Sequence, residues 1–219
     1  RLSGLDYHEE RGTLLGLLAS GAGVVEFGTA GKHLRTYGGT LGEGPGEVQR
    51  ITAYAATPSR VALLDSGNGK VLVHDRKAKL LAEFSLQRRY LAIAMREDDG
   101  YLLMPGKESN AFDVYAADGG FLRSIGDASS FPSPTTATAA AEMGAPICQG
   151  CELMTLGDSL LVVASPESSA MSVYDMEGHL VSKFNFAREG SVISRWMEAD
   201  QPYTEQAQSD AGPNTTVFK

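Results

Sequence analysis

The chain has 219 residues, a formal charge of −8 from 19 Lys and Arg against 27 Asp and Glu, 42% hydrophobic residues and 25 glycines. That composition is globular and long enough to bury a core without metal or disulfide staples, which excludes the disordered, collagen-like and fibrous classes. An acidic chain without a basic patch also repels phosphate backbones, so nucleic acid is not expected among its partners.

In chain order, the apolar runs fall into four similar units. Ser3 to Glu10 reads as a strand and is followed from Gly12 by a hairpin and a further strand ending near Gly38. The stretch Leu14 to Val25 is twelve residues long, against about 20 for a spanning helix, so no transmembrane segment is expected. The residues before it balance two Arg against Asp6, Glu9 and Glu10, unlike the positive start of a secretory signal. The first residue is Arg rather than Met, and any original signal is expected to lie outside this chain. The same order of runs returns from Ile51, from Tyr90 and from Glu152, giving approximate units of 2–39, 51–86, 90–127 and 151–187.

Gly31, Ala78, Gly119 and Gly178 are equivalent turn positions, spaced by 47, 41 and 59 residues. Three residues beyond each comes Leu34, Leu81, Leu122 or Val181, and six beyond comes Tyr37, Phe84, Ile125 or Phe184. Within runs such as Lys70 to Asp75 and Met171 to Asp175 the side chains alternate as in a half-buried strand, not at a helical period. Four strands per unit at this spacing predict an all-β propeller, in which radial stacking hides both faces of each twisted sheet. The 59-residue interval contains an insertion, 128–150, where Pro134 to Met143 is predicted as a short helix capped by Ser133. The tail, 188–219, holds Trp196 and too few apolar runs for two further blades.

The segment Leu63 to Phe84 resembles the NHL repeat at Asp65, Gly67, Asn68, Lys70, Val71 and Asp75. Upstream, Tyr37 to Ile51 is similar to the GxGPGEF element of bacterial six-bladed propellers of NHL type, with Val48 where Phe is usual. The resemblance implies NHL-like blades in a bacterial, extracytoplasmic setting, in the periplasm or at the cell surface. It also implies that four such blades are part of a six-bladed ring, an open wedge expected to self-associate.

Gly42, Gly44, Pro45, Gly46 and Glu47 are expected to form a structural loop between blades. They lack the Lys-Ser/Thr ending of a phosphate-binding P-loop and precede a strand rather than a helix. His8-Glu9-Glu10-Arg11-Gly12 begins like a zinc-protease motif but has Gly in place of the second His. Cys148 and Cys151 are open to three readings: a disulfide in an oxidising compartment, two inert thiols, or a redox or metal pair. The disulfide is the expectation carried forward. Asn214 to Thr216 is a glycosylation sequon that a bacterial origin would leave idle. No catalytic, cofactor-binding or metal-ligating set is assigned and no cofactor is expected. The functional expectation is a non-enzymatic scaffold for an unknown protein, peptide or small-molecule ligand. The alternative is a lactonase-like propeller hydrolase or lyase with a metal in its central channel.

Overall fold

Runs rich in β-branched and aromatic residues, separated by glycine turns, form sixteen strands in four antiparallel sheets of four among the described residues. The computed structural model describes residues 1–96, 98, 100–106, 112–127, 152–156, 160–165 and 170–185. Blade 1 contains β1 (Leu2–His8), β2 (Thr13–Leu18), β3 (Gly23–Gly28) and β4 (His33–Gly38). Blade 2 contains β5 (Ile51–Ala56), β6 (Arg60–Asp65), β7 (Lys70–Asp75) and β8 (Leu80–Ser85). Blade 3 contains β9 (Tyr90–Met95), β10 (Tyr101–Pro105), β11 (Phe112–Tyr115) and β12 (Phe121–Ile125). Blade 4 contains β13 (Glu152–Leu156), β14 (Leu160–Ser165), β15 (Ala170–Asp175) and β16 (Leu180–Asn185). In every blade the strands pair in chain order, which makes the fold an all-β propeller. The insertion, the helix expected within it, both cysteines and the tail lie outside the described residues.

The core lies between blades. Leu15, Val24 and Tyr37 of blade 1 pack on Ile51, Val61, Leu63 and Leu72 of blade 2. The other face of blade 2, with Ala62, Leu64, Val71 and Val73, packs on Tyr90, Ile93, Tyr101 and Leu103 of blade 3. Blade 3 then presents Ala92, Leu102, Phe112 and Val114 to Leu161, Val163 and Tyr174 of blade 4. The middle strands are therefore not half-buried as their alternation suggests. Strands β6, β7, β10 and β11 are buried along almost their whole length because a neighbouring blade covers each face, whereas the outer strand β8 alternates.

Two local features differ from the sequence expectation or sharpen it. The first strand stops at His8 rather than Glu10, because Glu9–Arg11 forms a 3₁₀ turn closed by the left-handed Gly12 (φ 61°). The four equivalent turn residues Gly31, Ala78, Gly119 and Gly178 all take positive φ, at 77°, 63°, 87° and 82°. Each donates its N–H to the carbonyl three residues back, at 2.8–3.0 Å. Ala78 is the one side chain among them, and a Cβ tolerates this region poorly. Ala78→Val adds β-branching there and is expected to cost about 1–3 kcal/mol, read as a lower urea midpoint with an unchanged slope. An unchanged midpoint would show that the turn relaxes out of the left-handed region.

Candidate functional site

Each inner strand, β1, β5, β9 and β13, runs toward the end of the molecule that carries the turns between first and second strands. A cleft of about 500 Å³ lies at that end, lined by residues of all four blades. Blade 1 contributes His8 and Glu10, and blade 2 contributes Ala56, Thr57 and Pro58. Met95, Arg96 and Asp98 come from blade 3, with Thr155 and Met176 from blade 4. All four blades therefore supply one wall each.

The polar groups of the cleft are partly committed. His8 Nε2 lies 3.1 Å from the Ala56 carbonyl, so donation there joins blades 1 and 2 and leaves Nδ1 without a hydrogen-bond partner among the described residues. Arg96 Nη2 donates to Asp98 at 3.1 Å, while its buried Nε has no acceptor among the described residues. Asp98 also accepts the Gly100 N–H at 3.1 Å, which closes the turn between β9 and β10 and holds the carboxylate beside the guanidinium. Thr57 Oγ1 accepts the Arg60 N–H at 3.2 Å. The thioethers of Met95 and Met176 add adaptable apolar surface. Chemically the cleft offers the carboxylates of Glu10 and Asp98, one guanidinium and one imidazole, beside the apolar side chains of Ala56, Pro58, Met95 and Met176. Among the described residues no three His, Cys, Asp or Glu side chains are grouped to hold a metal ion.

The loop expected between blades lies at the opposite end, and its polar groups are taken up locally. Glu47 accepts the Gly44 N–H at 2.9 Å, and a Cβ on Gly42 would meet that same carboxylate at 2.0 Å. The Gly46 N–H donates to Glu83 at 2.7 Å, and Lys70 Nζ donates to the Gly44 carbonyl at 3.0 Å. Asn68 Nδ2 donates to the Gly42 carbonyl at 2.9 Å. Beneath it, the fully buried Asp65 accepts the N–H groups of Gln49, Arg50, Gly67 and Asn68 at 2.8–3.2 Å. Asp65 thereby ties the connection between blades 1 and 2 to the hairpin turn of blade 2.

Two further polar clusters, carrying no sequence motif, lie in blades 1 and 3. Glu26, 1% exposed, accepts Thr13 Oγ1 at 2.8 Å and Tyr37 Oη at 2.6 Å, beside Arg35 at 3.0 Å and Arg11 at 3.8 Å. Burial alone would raise its pKa, but the two hydroxyl donors and two guanidiniums outweigh that and hold it below the usual carboxylate value. The same burial, with Glu26 as acceptor, pushes Tyr37 up to about 12. In blade 3, Asp113 accepts Arg88 through both Nε (2.8 Å) and Nη2 (2.6 Å), Tyr90 Oη at 2.5 Å and Ser124 Oγ at 2.6 Å. Burial raises the Tyr90 pKa, and its bonds to Asp113 and Tyr115 raise it further. The signal for both clusters was a carboxylate in the middle of an apolar strand, GVVEFG and FDVY.

No family model and no curated protein matches the sequence. Solved structures match it as a fold. A protein described as exported, from Bacteroides fragilis, superposes with a TM-score of 0.54 at 16% identity over 82% of this chain and 48% of its own. Virginiamycin B lyase from Staphylococcus aureus gives 0.51 at 11% identity over 83% and 54%. The WD40 repeats of RRP9 give 0.55 at 12% identity over 84% and 51%. These likenesses define the class of the chain, a β-propeller. The chain spans about half the length of each. No helix among the described residues is long and apolar enough to cross a membrane.

Proposed function

We propose that the protein is a non-enzymatic propeller of NHL type in the bacterial envelope, one that binds a peptide, protein loop or small molecule in the cleft lined by its four blades. The observation that carries this reading is the convergence of four blades on one concave, mixed-polarity site with two methionines in its wall. Its likeness to an exported bacterial protein supports the envelope setting, to which a Cys148–Cys151 disulfide would belong. A thermal-shift screen of short peptides is expected to yield ligands whose effect falls about tenfold or more in the Arg96→Ala variant and in His8→Ala. Ligands that stabilise both variants as well as the parent would place binding elsewhere.

A second reading is favoured by one observation. Virginiamycin B lyase shares the fold, and a histidine-to-alanine variant of it, solved with quinupristin, is described as catalytically inactive; here His8 lines the cleft. Incubation with quinupristin separates the two readings. Intact quinupristin supports the binding reading, and its cleavage, lost in His8→Ala, supports a lyase. A stoichiometric calcium or zinc ion in the purified protein would also favour the enzyme.

A further inference from the structure

The turn between the third and fourth strands is closed in the same way in all four blades. The first residue of each five-residue turn, Gly28, Asp75, Ala116 or Asp175, donates its N–H to the carbonyl of the fifth, Lys32, Lys79, Gly120 or His179, at 2.8–3.0 Å. Because the strands alternate in direction, these turns lie at the end of the molecule that carries the cleft. Met176, second in the blade 4 turn, lines that cleft. Arg76, second in the blade 2 turn, reaches the carbonyl of Arg11 at 3.4 Å, one residue beyond Glu10 of the cleft wall.

The matching backbones carry unequal charges. Counted with neutral His, the turns of blades 1 to 4 hold +1, +2, −1 and −2. Blade 2 has Arg76, Lys77 and Lys79, all exposed, against Asp75, whose Oδ1 accepts the backbone N–H groups of Lys77 and Lys79 at 2.8 Å. In blade 4 Glu177 is offset in part by Arg123 of blade 3, at 2.9 Å, but both side chains are more than half exposed and their attraction is screened by water. Inside the cleft Arg96 matches Asp98 at 3.1 Å, which leaves Glu10 of blade 1 as the other carboxylate among the lining residues. The rim around the cleft is thus cationic across blades 1 and 2 and anionic across blades 3 and 4, in a chain whose net charge is −8.

An outer strand lies three strand spacings, about 14 Å, from the inner one, so an occupant that meets the outer turns of blades 2 and 4 spans up to about 28 Å, the reach of roughly eight or nine extended residues. Resting on the cleft reading above, we propose that the occupant is an extended peptide with an acidic end over blades 1 and 2, a basic end over blades 3 and 4, and an apolar middle against Met95 and Met176.

Calorimetric titration of four capped nonapeptides tests this. All share a Gly-Leu-Met-Leu-Gly centre, and their flanking pairs are Glu with Lys, Glu with Glu, Lys with Lys, or Ser with Ser. The peptide with one Glu end and one Lys end is expected to bind at least about fivefold more tightly than the other three in low salt, with the difference collapsing at about 0.5 M. In the variant with Lys77→Glu and Lys79→Glu the preference should pass to the peptide with Lys at both ends, a switch that damage to the turn would not produce. Equal affinity for all four peptides, still lost in Arg96→Ala, would overturn the charge assignment and leave the cleft reading standing. A charge preference that persists in both Arg96→Ala and His8→Ala would place binding on the outer turns alone and overturn both. Absence of binding by all four, or preferential capture of a short oligonucleotide at the blade 2 lysines, would overturn the proposal and leave the cleft to other ligand classes.

Discussion

Replacing Asp113 with Ala is expected to destabilise the protein by about 3–5 kcal/mol, lowering its melting temperature by roughly 6–20 °C. Asp113 is fully buried, yet it takes four hydrogen bonds from three side chains. Its removal takes the carboxylate from the Arg88 guanidinium and the acceptor from the Ser124 hydroxyl, and leaves the Tyr90 hydroxyl with Tyr115, at 2.7 Å, and Arg88. Unmet donors in a dry interface cost more than the bonds themselves contribute when made. Asp113→Asn keeps the shape but not the charge and turns one acceptor oxygen into a donor, so an intermediate loss is expected. Chemical denaturation of the three proteins orders them directly, and equal stability of the Ala variant and the parent would show that Arg88 simply turns to solvent.

Glu26→Ala should be as damaging, again about 3–5 kcal/mol, because it strands Arg11, whose side chain is 0% exposed. Arg11 otherwise keeps one bond to Tyr37 at 3.1 Å and a position 5.9 Å from the centroid of that ring. Adding Arg11→Met should therefore recover much of the loss, since the double variant no longer buries an unpaired charge. The pH profile offers an independent readout. Glu26 has its folded pKa lowered below 4.5, so its contribution is present above the unfolded value and is lost as pH falls through the folded one. His74, 4% exposed, also has a lowered pKa, because burial disfavours the imidazolium despite the neighbouring Asp75. It is neutral in both states above about pH 6.5, and below that the unfolded chain takes up the proton first. Stability should fall in two windows, one beginning near pH 6.5 and one below 4.5. His74→Phe should abolish the first alone, with its ring still stacked edge-on against Tyr37.

The blade was legible in the sequence because its information is local. Turn positions 31, 78, 119 and 178 were aligned by apolar register alone, and all four adopt the backbone conformation that the alignment required, including Ala78. Which face each residue occupies was less accessible. Alternation in KVLVHD suggested one wet face, but whether both are dry depends on a neighbouring blade some 40 residues away in sequence. The cleft was hidden for the same reason. His8 ends β1 while Thr57, Arg96 and Met176 lie just beyond their strands, and nothing local announces that the four meet in one cleft. Glu26 and Asp113 were findable in principle, since a carboxylate on a doubly apolar strand demands partners.

The turn bearing Gly119 lies against the Phe84 ring of the preceding blade, and the turn bearing Gly178 lies against the backbone of Gly126. Blades 3 and 4 thus each bring this turn against the outer-strand end of the blade made just before. During synthesis the chain leaves the ribosome amino end first, at about 5–20 residues per second. A new blade is then complete within seconds, and its docking platform is already folded. Assembly can proceed as a ratchet in which every added blade dries the apolar face its predecessor has just exposed, so the time any one face spends open to stray contacts is set by translation speed rather than by the length of the whole chain.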